Sequence, residues 1–251
     1  MVDERAVGIG LLRPDLFGTY GDGGNATVLA QRLRWRGVAA EIISIGPGQT
    51  VPPHVRVILI GGGEDRSQIA LLHDDEVVRG LRAAVDEGAA VLGVCAGLQV
   101  LGHEFAGPDG SLHRGLGLLD CVSYRLDHRA VGECVIHAEA TLSDSDDTAL
   151  TGFENHLGST TLGSGATPLG LVAIGVGNGD GTDGAVSGRI IGTYLHGPVL
   201  ARNPALADHL LEFTLGPLPT LRVPEVDRLR SKRFSAAARE RRSGRLRIGH
   251  R

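Results

Sequence analysis

Three cysteines and ten histidines are the side chains of this 251-residue sequence best suited to covalent and proton-transfer chemistry. Cys95 stands in Gly93-Val94-Cys95-Ala96-Gly97. Glycine two residues before and two after a nucleophilic side chain is the spacing of a strand–turn–helix elbow. In so sharp a turn the flanking residues come close together, and glycine removes the Cβ atoms that would collide. The helix start that follows carries partial positive charge and favours thiolate over thiol. Its first backbone N–H, that of Ala96, is available to an oxyanion, and Gly62 in Gly61-Gly62-Gly63 is expected to supply a second donor. Cys121 and Cys134 fall in apolar runs without such a turn and read as packed thiols.

A thiol nucleophile needs an imidazole within reach. His196 directly follows the apolar run Ile190–Leu195, and Gly197-Pro198 turns the chain there. His156, in Phe153-Glu154-Asn155-His156, is the rival. His103 lies eight residues beyond Cys95, roughly 12 Å along a helix if the helix runs that far, which is too distant. Spacing alone leaves His196 and His156 both open.

The elements that would position these residues follow from periodicity. Val7–Leu12, Ala40–Ile45, Val55–Ile60 and Ala89–Val94 read as strands, and Asn25–Trp35 and Asp75–Glu87 as helices between them. A helix is expected after Cys95 through Leu98, Val100 and Leu101. This alternation predicts an α/β fold with a mostly parallel sheet and helices on both faces. From residue 110 the texture changes. Gly115–His137 reads as paired strands, and Gly163–Gly188, with Asn178-Gly179 and Asp180-Gly181, as a glycine-rich hairpin region, together an added antiparallel region. Arg189–Leu195 reads as a buried strand and Asn203–Leu215 as a helix. Both Cys95 and His196 then fall at the C-terminal edge of the sheet, where open α/β folds place their ligands.

Composition narrows the class further. Three cysteines without a CxxC pair argue against a disulfide framework or a zinc site and for a reducing compartment. Neither a signal-like segment nor an 18-residue apolar run is present, so the expected location is the cytoplasm. The net charge of −4 conceals an asymmetry. Residues 222–251 hold eleven basic and three acidic residues, a net of +8, so the rest carries −12. One domain over 1–221 and an Arg-rich tail over 222–251, expected to be helical, is the resulting division. The tail lacks the aromatic platform of a nucleic-acid binder and suits contact with an acidic surface. The only lysine is Lys232 and no GxxxxGK[ST] loop occurs, so chemistry on ATP would belong to another chain. No cofactor or metal is expected.

Two segments extend the picture. Val94-Cys95-Ala96-Gly97-Leu98-Gln99 and Gly192-Thr193-Tyr194-Leu195-His196-Gly197-Pro198 resemble the class I glutamine amidotransferases of the cobyric acid synthase type. Within that family they resemble the glutaminase subunits of lipid II isoglutaminyl synthases. Similar stretches are Tyr20-Gly21-Asp22-Gly23-Gly24-Asn25, Ile60-Gly61-Gly62-Gly63-Glu64-Asp65-Arg66 and Gly152-Phe153-Glu154-Asn155-His156. The resemblance spans about residues 8 to 215. It implies that Cys95 attacks the side-chain amide of glutamine, with His196 as base. It implies further that Gln99 and Arg129 bind glutamine and that ammonia passes to a MurT-like Mur ligase subunit. That partner would use ATP to amidate the D-glutamate of lipid II to D-isoglutamine. Many relatives carry a glutamate two residues after the histidine. Here Pro198 stands there, so the resemblance implies a Cys–His dyad, with Glu64 or Glu154 conceivable as an orienting group. A glutaminase for another acceptor of the cobyric acid type, a stand-alone cysteine hydrolase and a non-catalytic scaffold are the alternatives.

Overall fold

The computed structural model describes residues 6–18, 21–138 and 148–242. Tyr20 of the sequence segment quoted above and the tail beyond residue 242 lie outside them. The first half reads β1 (Val7–Leu12), α1 (Gly24–Trp35), β2 (Ala40–Ile45), β3 (Val55–Ile60), α2 (Asp65–Leu72), α3 (Asp75–Asp86), β4 (Ala90–Val94) and α4 (Ala96–Leu101). Next come β5 (Glu104–Ala106), β6 (Leu112–Arg114), β7 (Cys121–Ala138), β8 (Ala149–Leu162), β9 (Gly170–Ile174), β10 (Thr182–Asp183), β11 (Ala185–Ser187) and β12 (Ile190–Thr193). α5 (Val199–Arg202), α6 (Pro204–Leu215) and α7 (Pro224–Arg242) complete the described chain.

The first sheet has the order β11-β12-β4-β3-β1-β2, parallel except for β11 at its edge. Its central strands are buried on both faces, which is why they read as apolar runs, interrupted in β3 only by the exposed Arg56 near its start. The order reverses at β1–β3: α1 leads outward to β2, whereas α2 and α3 lead back to β4. Right-handed crossovers therefore put α1 and α2–α3 on opposite faces. Ile58, Leu59, Val91, Leu92 and Ile191 from the sheet and Leu29, Leu33, Leu81 and Leu210 from the helices fill the core. The amphipathic α3 is capped by Asp74, whose carboxylate accepts from the Val77 N–H.

The second sheet is a long ribbon. β8 pairs antiparallel along one edge of β7; β5 and β9 share the other edge. Here expectation and structure differ. The strand expected within 115–137 pairs with 149–162 rather than folding back on itself. The register slips between Arg125 and Ala130, leaving Asp127, His128 and Arg129 exposed as an outward bulge. The helix after Cys95 stops at Leu101, because Gly102 is extended (φ −68°, ψ −177°) and a Cβ there would meet the Cys121 carbonyl at 2.7 Å. His103 thus lies outside that helix and pairs with Asp120. The Arg-rich segment is helical as far as it is described. α7 packs on β7, with Arg230 bonded to the Ala149 carbonyl and Arg233 3.6 Å from Glu133.

Candidate active site

β4 delivers Cys95 into the turn before α4. Its backbone sits at φ +53°, ψ −104°, a strained conformation for a residue with a side chain. The glycines behave as the spacing requires. A Cβ on Gly93 would come within 2.7 Å of the Gly97 carbonyl carbon, and one on Gly97 within 2.3 Å of the Ile60 oxygen. Cys95 N–H donates to the Thr193 carbonyl of β12 at 2.8 Å, so the elbow is hydrogen-bonded to the strand that leads to His196. That histidine is fixed in turn by a two-way backbone bridge to Phe153 of β8, at 2.9 and 3.0 Å.

His196 Nδ1 lies 3.1 Å from Asp22 Oδ2, both side chains almost fully buried. This contact was not expected. Pro198 does leave its own position empty of a carboxylate, but Asp22 reaches the ring from the loop between β1 and α1. Glutamate is not the orienting group at either candidate position. Glu154 accepts the Val176 and Gly177 N–H groups at 3.0 Å, and Glu64 lines the open cavity instead. The arrangement is a Cys–His–Asp triad in geometry rather than a dyad.

The glycines explain how Asp22 arrives there. A Cβ on Gly61 would meet the Phe17 carbonyl oxygen at 2.2 Å, and one on Gly63 the Leu16 oxygen at 2.7 Å. Only glycine lets the turn after β3 press so closely against the loop after β1. Gly24 clears Pro198, and Asn25 accepts the Leu200 N–H at 3.0 Å, binding the same loop to the segment after His196. The Gly21–Asn25 stretch was therefore the signal for the missing carboxylate.

The contact also revises the anion-binding turn. Gly62 N–H donates to Asp22 Oδ2 at 2.8 Å and does not line the cavity, so it is spent on orienting the carboxylate. Gly63 does line the cavity, and Ala96, the first residue of α4, directly follows Cys95 with its N–H at the open start of the helix.

Electrostatics follow from these contacts. Burial pulls the His196 imidazole down, but hydrogen bonds with Asp22 and Cys95 outweigh it and push the ring up to about 10. With Nδ1 on Asp22, Nε2 is the nitrogen left for the thiol. The other two thiols are buried and inert: burial, then Asp120, pushes Cys121 up to about 12, and burial, then Glu154, raises Cys134 well above its ordinary range.

A cavity of about 450 Å³ opens over Cys95, lined among others by Gly63, Glu64, Gln99, Arg129 and His156. Arg129, on the β7 bulge, donates from Nε to Asn155 Oδ1 at 2.7 Å, which aims the guanidinium beside the cavity. Gln99 receives Gln68 Nε2 at 2.6 Å and donates to the Tyr194 hydroxyl at 3.2 Å, so its amide forms a braced wall. His156 is not presented as a second base. Its Nδ1 meets the Gly158 carbonyl at 2.8 Å, and its ring stacks on Tyr194 with centroids 3.9 Å apart. Among the described residues no group of His, Cys, Asp and Glu is arranged to hold a metal ion.

Residues 8–204 match the CobB/CobQ-like glutamine amidotransferase domain. The chain belongs to that family and is a glutamine amidotransferase. It is 35% identical over 202 residues to the GatD subunit of lipid II isoglutaminyl synthase (glutamine-hydrolyzing) of Staphylococcus aureus strain N315, covering 79% of this chain and 80% of that one. The corresponding Streptococcus pneumoniae subunit is 32% identical over 209 residues, 80% of this chain and 77% of its own. Cobyric acid synthase of Brucella abortus strain S19 is 34% identical over 167 residues, but these are 32% of that longer enzyme. Among solved structures, a glutamine amidotransferase superposes with a TM-score of 0.57 at 20% identity, covering 82% of this chain and 98% of that one. The Trypanosoma brucei CTPS glutaminase domain with bound acivicin gives 0.53 at 12% identity, covering 86% of this chain and 97% of that one. At such identities the two establish the shared fold.

Proposed function

We propose that the chain is the glutaminase subunit of a two-subunit amidating ligase, hydrolysing L-glutamine through a Cys95 thioester. The observation that carries this reading is the Cys95–His196–Asp22 chain of contacts behind a cavity that Cys95 lines together with Arg129 and Gln99. The Cys95 proton passes to His196, and sulfur bonds to the side-chain carbonyl carbon of glutamine. Oxygen takes the negative charge, facing the Ala96 and Gly63 N–H groups. The C–N bond breaks as His196 returns the proton to the leaving nitrogen, releasing ammonia. Water, deprotonated by His196, then cleaves the thioester to glutamate. Asp22 holds the imidazole in the tautomer that directs Nε2 to sulfur. An arginine fork suits the α-carboxylate of the substrate.

The S. aureus and S. pneumoniae relatives are named as subunits of lipid II isoglutaminyl synthase, and this supports the same assembly here. Ammonia would then reach a MurT-like ATP-dependent Mur ligase subunit, which amidates the α-carboxyl of the D-glutamate in lipid II. The absence of a P-loop from the sequence agrees with ATP chemistry in another chain. No helix among the described residues is long and apolar enough to cross a membrane. A cytoplasmic, cofactor-free subunit, with a domain over 1–221 and a tail over 222–251, completes the reading.

The test measures glutamate release from glutamine by wild type and Cys95→Ala, alone and with the ligase partner. Release that disappears in the variant, and lipid II amidation that then requires free ammonia, support the reading. Unchanged release in Cys95→Ala overturns the thioester. Full ligase activity from the isolated chain overturns the two-subunit assignment.

A further inference from the structure

His196 lies beyond the end of β12, and the sheet no longer holds the chain there. Pairing with β4 ends at Thr193, and the backbone bridge to Phe153 begins only at His196. Two N–H groups in between, those of Tyr194 and Leu195, need other acceptors inside a buried region. Both find them through one carboxylate. Tyr194 N–H donates to Asp183 Oδ1 at 3.2 Å; the Thr193 hydroxyl donates to Asp183 Oδ2 at 2.5 Å and accepts from Leu195 N–H at 3.1 Å. The same Thr193 accepts the Cys95 N–H on its carbonyl. We propose that Asp183 is a positioning residue that sets the spacing of Cys95 and His196 by acting through Thr193. This rests on the reading of those two as the reacting pair.

Asp183 is held firmly enough for that role. It is 0% exposed, and its carbonyl accepts Leu169 N–H at 2.9 Å. The next residue, Gly184, is gripped on both sides by the buried Asn178 amide, at 3.0 Å through its N–H and 2.9 Å through its carbonyl. Gly184 has φ +74°, and a Cβ there would meet the Gly192 oxygen at 2.3 Å, so the loop closes directly onto β12. Thr193 at the end of β12, Tyr194 just beyond it, His156 and Glu154 of β8 and Cys134 of β7 are the groups that face Asp183.

An ionised carboxylate suits the position because it only accepts. Both neighbours donate to it, and the Thr193 oxygen keeps a lone pair for Leu195. An asparagine would present an amide N–H to one of these donors and leave a polar hydrogen unmatched. The carboxylate also costs stability. Burial pushes it up to about 6, against the hydrogen bonds from Thr193 and Tyr194 that hold it down. A folded pKa above the unfolded one means its contribution is most favourable below the unfolded value and is lost as pH rises through about 6. Ionised Asp183 is therefore retained at neutral pH against a stability penalty, as expected of a group kept for the geometry it imposes.

The experiment measures kcat, KM and thermal midpoint for glutamine hydrolysis in Asp183→Asn, Thr193→Val, Thr193→Ser and Asp183→Asn/Thr193→Val. We expect kcat to fall about tenfold in Asp183→Asn and Thr193→Val, for one lost charge-assisted hydrogen bond, with KM within about twofold. Thr193→Ser, which keeps the hydroxyl, should stay within about threefold of wild type. The double variant should be no slower than either single, because both remove one path. The thermal midpoint shows whether each variant is folded at the assay temperature. Wild-type kcat in both single variants overturns the proposal, as does a double-variant loss equal to the product of the two. Should Asp183→Asn not fold, the Thr193→Val and Thr193→Ser pair decides: equal losses overturn the hydroxyl relay, and rescue by serine supports it. An inactive Cys95→Ala beside a fully active Asp183→Asn defeats the positioning role alone, whereas an active Cys95→Ala defeats the underlying function.

Discussion

The two walls of the cavity are built on different principles. Cys95 and His196 stand where adjacent parallel strands, β4 and β12, leave the same edge of the first sheet, and backbone hydrogen bonds fix them. Arg129, Asn155 and His156 come from the β7–β8 ribbon, where side chains brace side chains around a slipped register. The reacting wall is buried, glycine-lined and strained; the opposite wall is half-open and formed by long polar side chains. On the proposed function, the chemistry would rest on backbone geometry and the recognition of a polar substrate on mutually braced side chains.

That contrast makes separable predictions. Asp22→Asn should leave Gly62 and His196 without their shared carboxylate and lower kcat about 10²- to 10³-fold, with KM little changed, in a glutamate-release assay. A comparable rise in KM instead would mean that Asp22 serves binding. Arg129→Ala should act on the other wall. Losing a charged hydrogen-bond partner should raise KM about 10- to 100-fold, while kcat stays within a few-fold. Gly158→Ala probes the junction of the walls, since its Cβ would lie 2.1 Å from Gln99 Nε2 and 2.4 Å from the Tyr194 hydroxyl. Overpacking should cost about 1–3 kcal/mol, read as a lowered thermal midpoint together with weaker glutamine binding.

The smallest effect is on pH dependence. His196 is raised from 6.5 to about 10 in the folded chain. Its contribution to stability is therefore complete below about 6.5 and lost as pH rises through about 10. Thermal melts of wild type should decline across that interval. Those of Asp22→Asn should lose the contribution at lower pH, because a hydrogen bond that raises the imidazole is gone. Superimposable pH profiles for the two proteins would show that Asp22 does not tune the ring.

The first sheet was legible in the sequence because its central strands are nearly continuous apolar runs; Val7–Leu12 and Ala89–Val94 needed only hydrophobicity to be found, and the half-exposed edge strand Ala40–Ile45 kept enough isoleucine to be read with them. Cys95 was legible because its turn demands glycines at fixed offsets. Asp22 was not, since its partner lies 174 residues away and meets it only through the close approach of Gly61 to Phe17. The dyad expectation failed for that reason, not because Pro198 was misread. Gly62 was misassigned for a related one: a free N–H and a committed one look alike in a glycine run. The ribbon was partly hidden because β7 passes from exposed at Tyr124–Arg129 to buried at Gly132–Ile136, which spoils simple alternation. α2 follows the glycine turn with a short, polar-starting run that carries little periodic signal.

The most direct test of the account is covalent labelling with an alkylating glutamine analogue, read by peptide mass spectrometry. The account predicts one adduct, on Cys95, slowed by excess glutamine and by Arg129→Ala, with the buried Cys121 and Cys134 unmodified. An unlabelled Cys95 in folded protein, or labelling at a rate indifferent to glutamine, would contradict the claim that this thiol and this cavity form one glutamine-hydrolysing site.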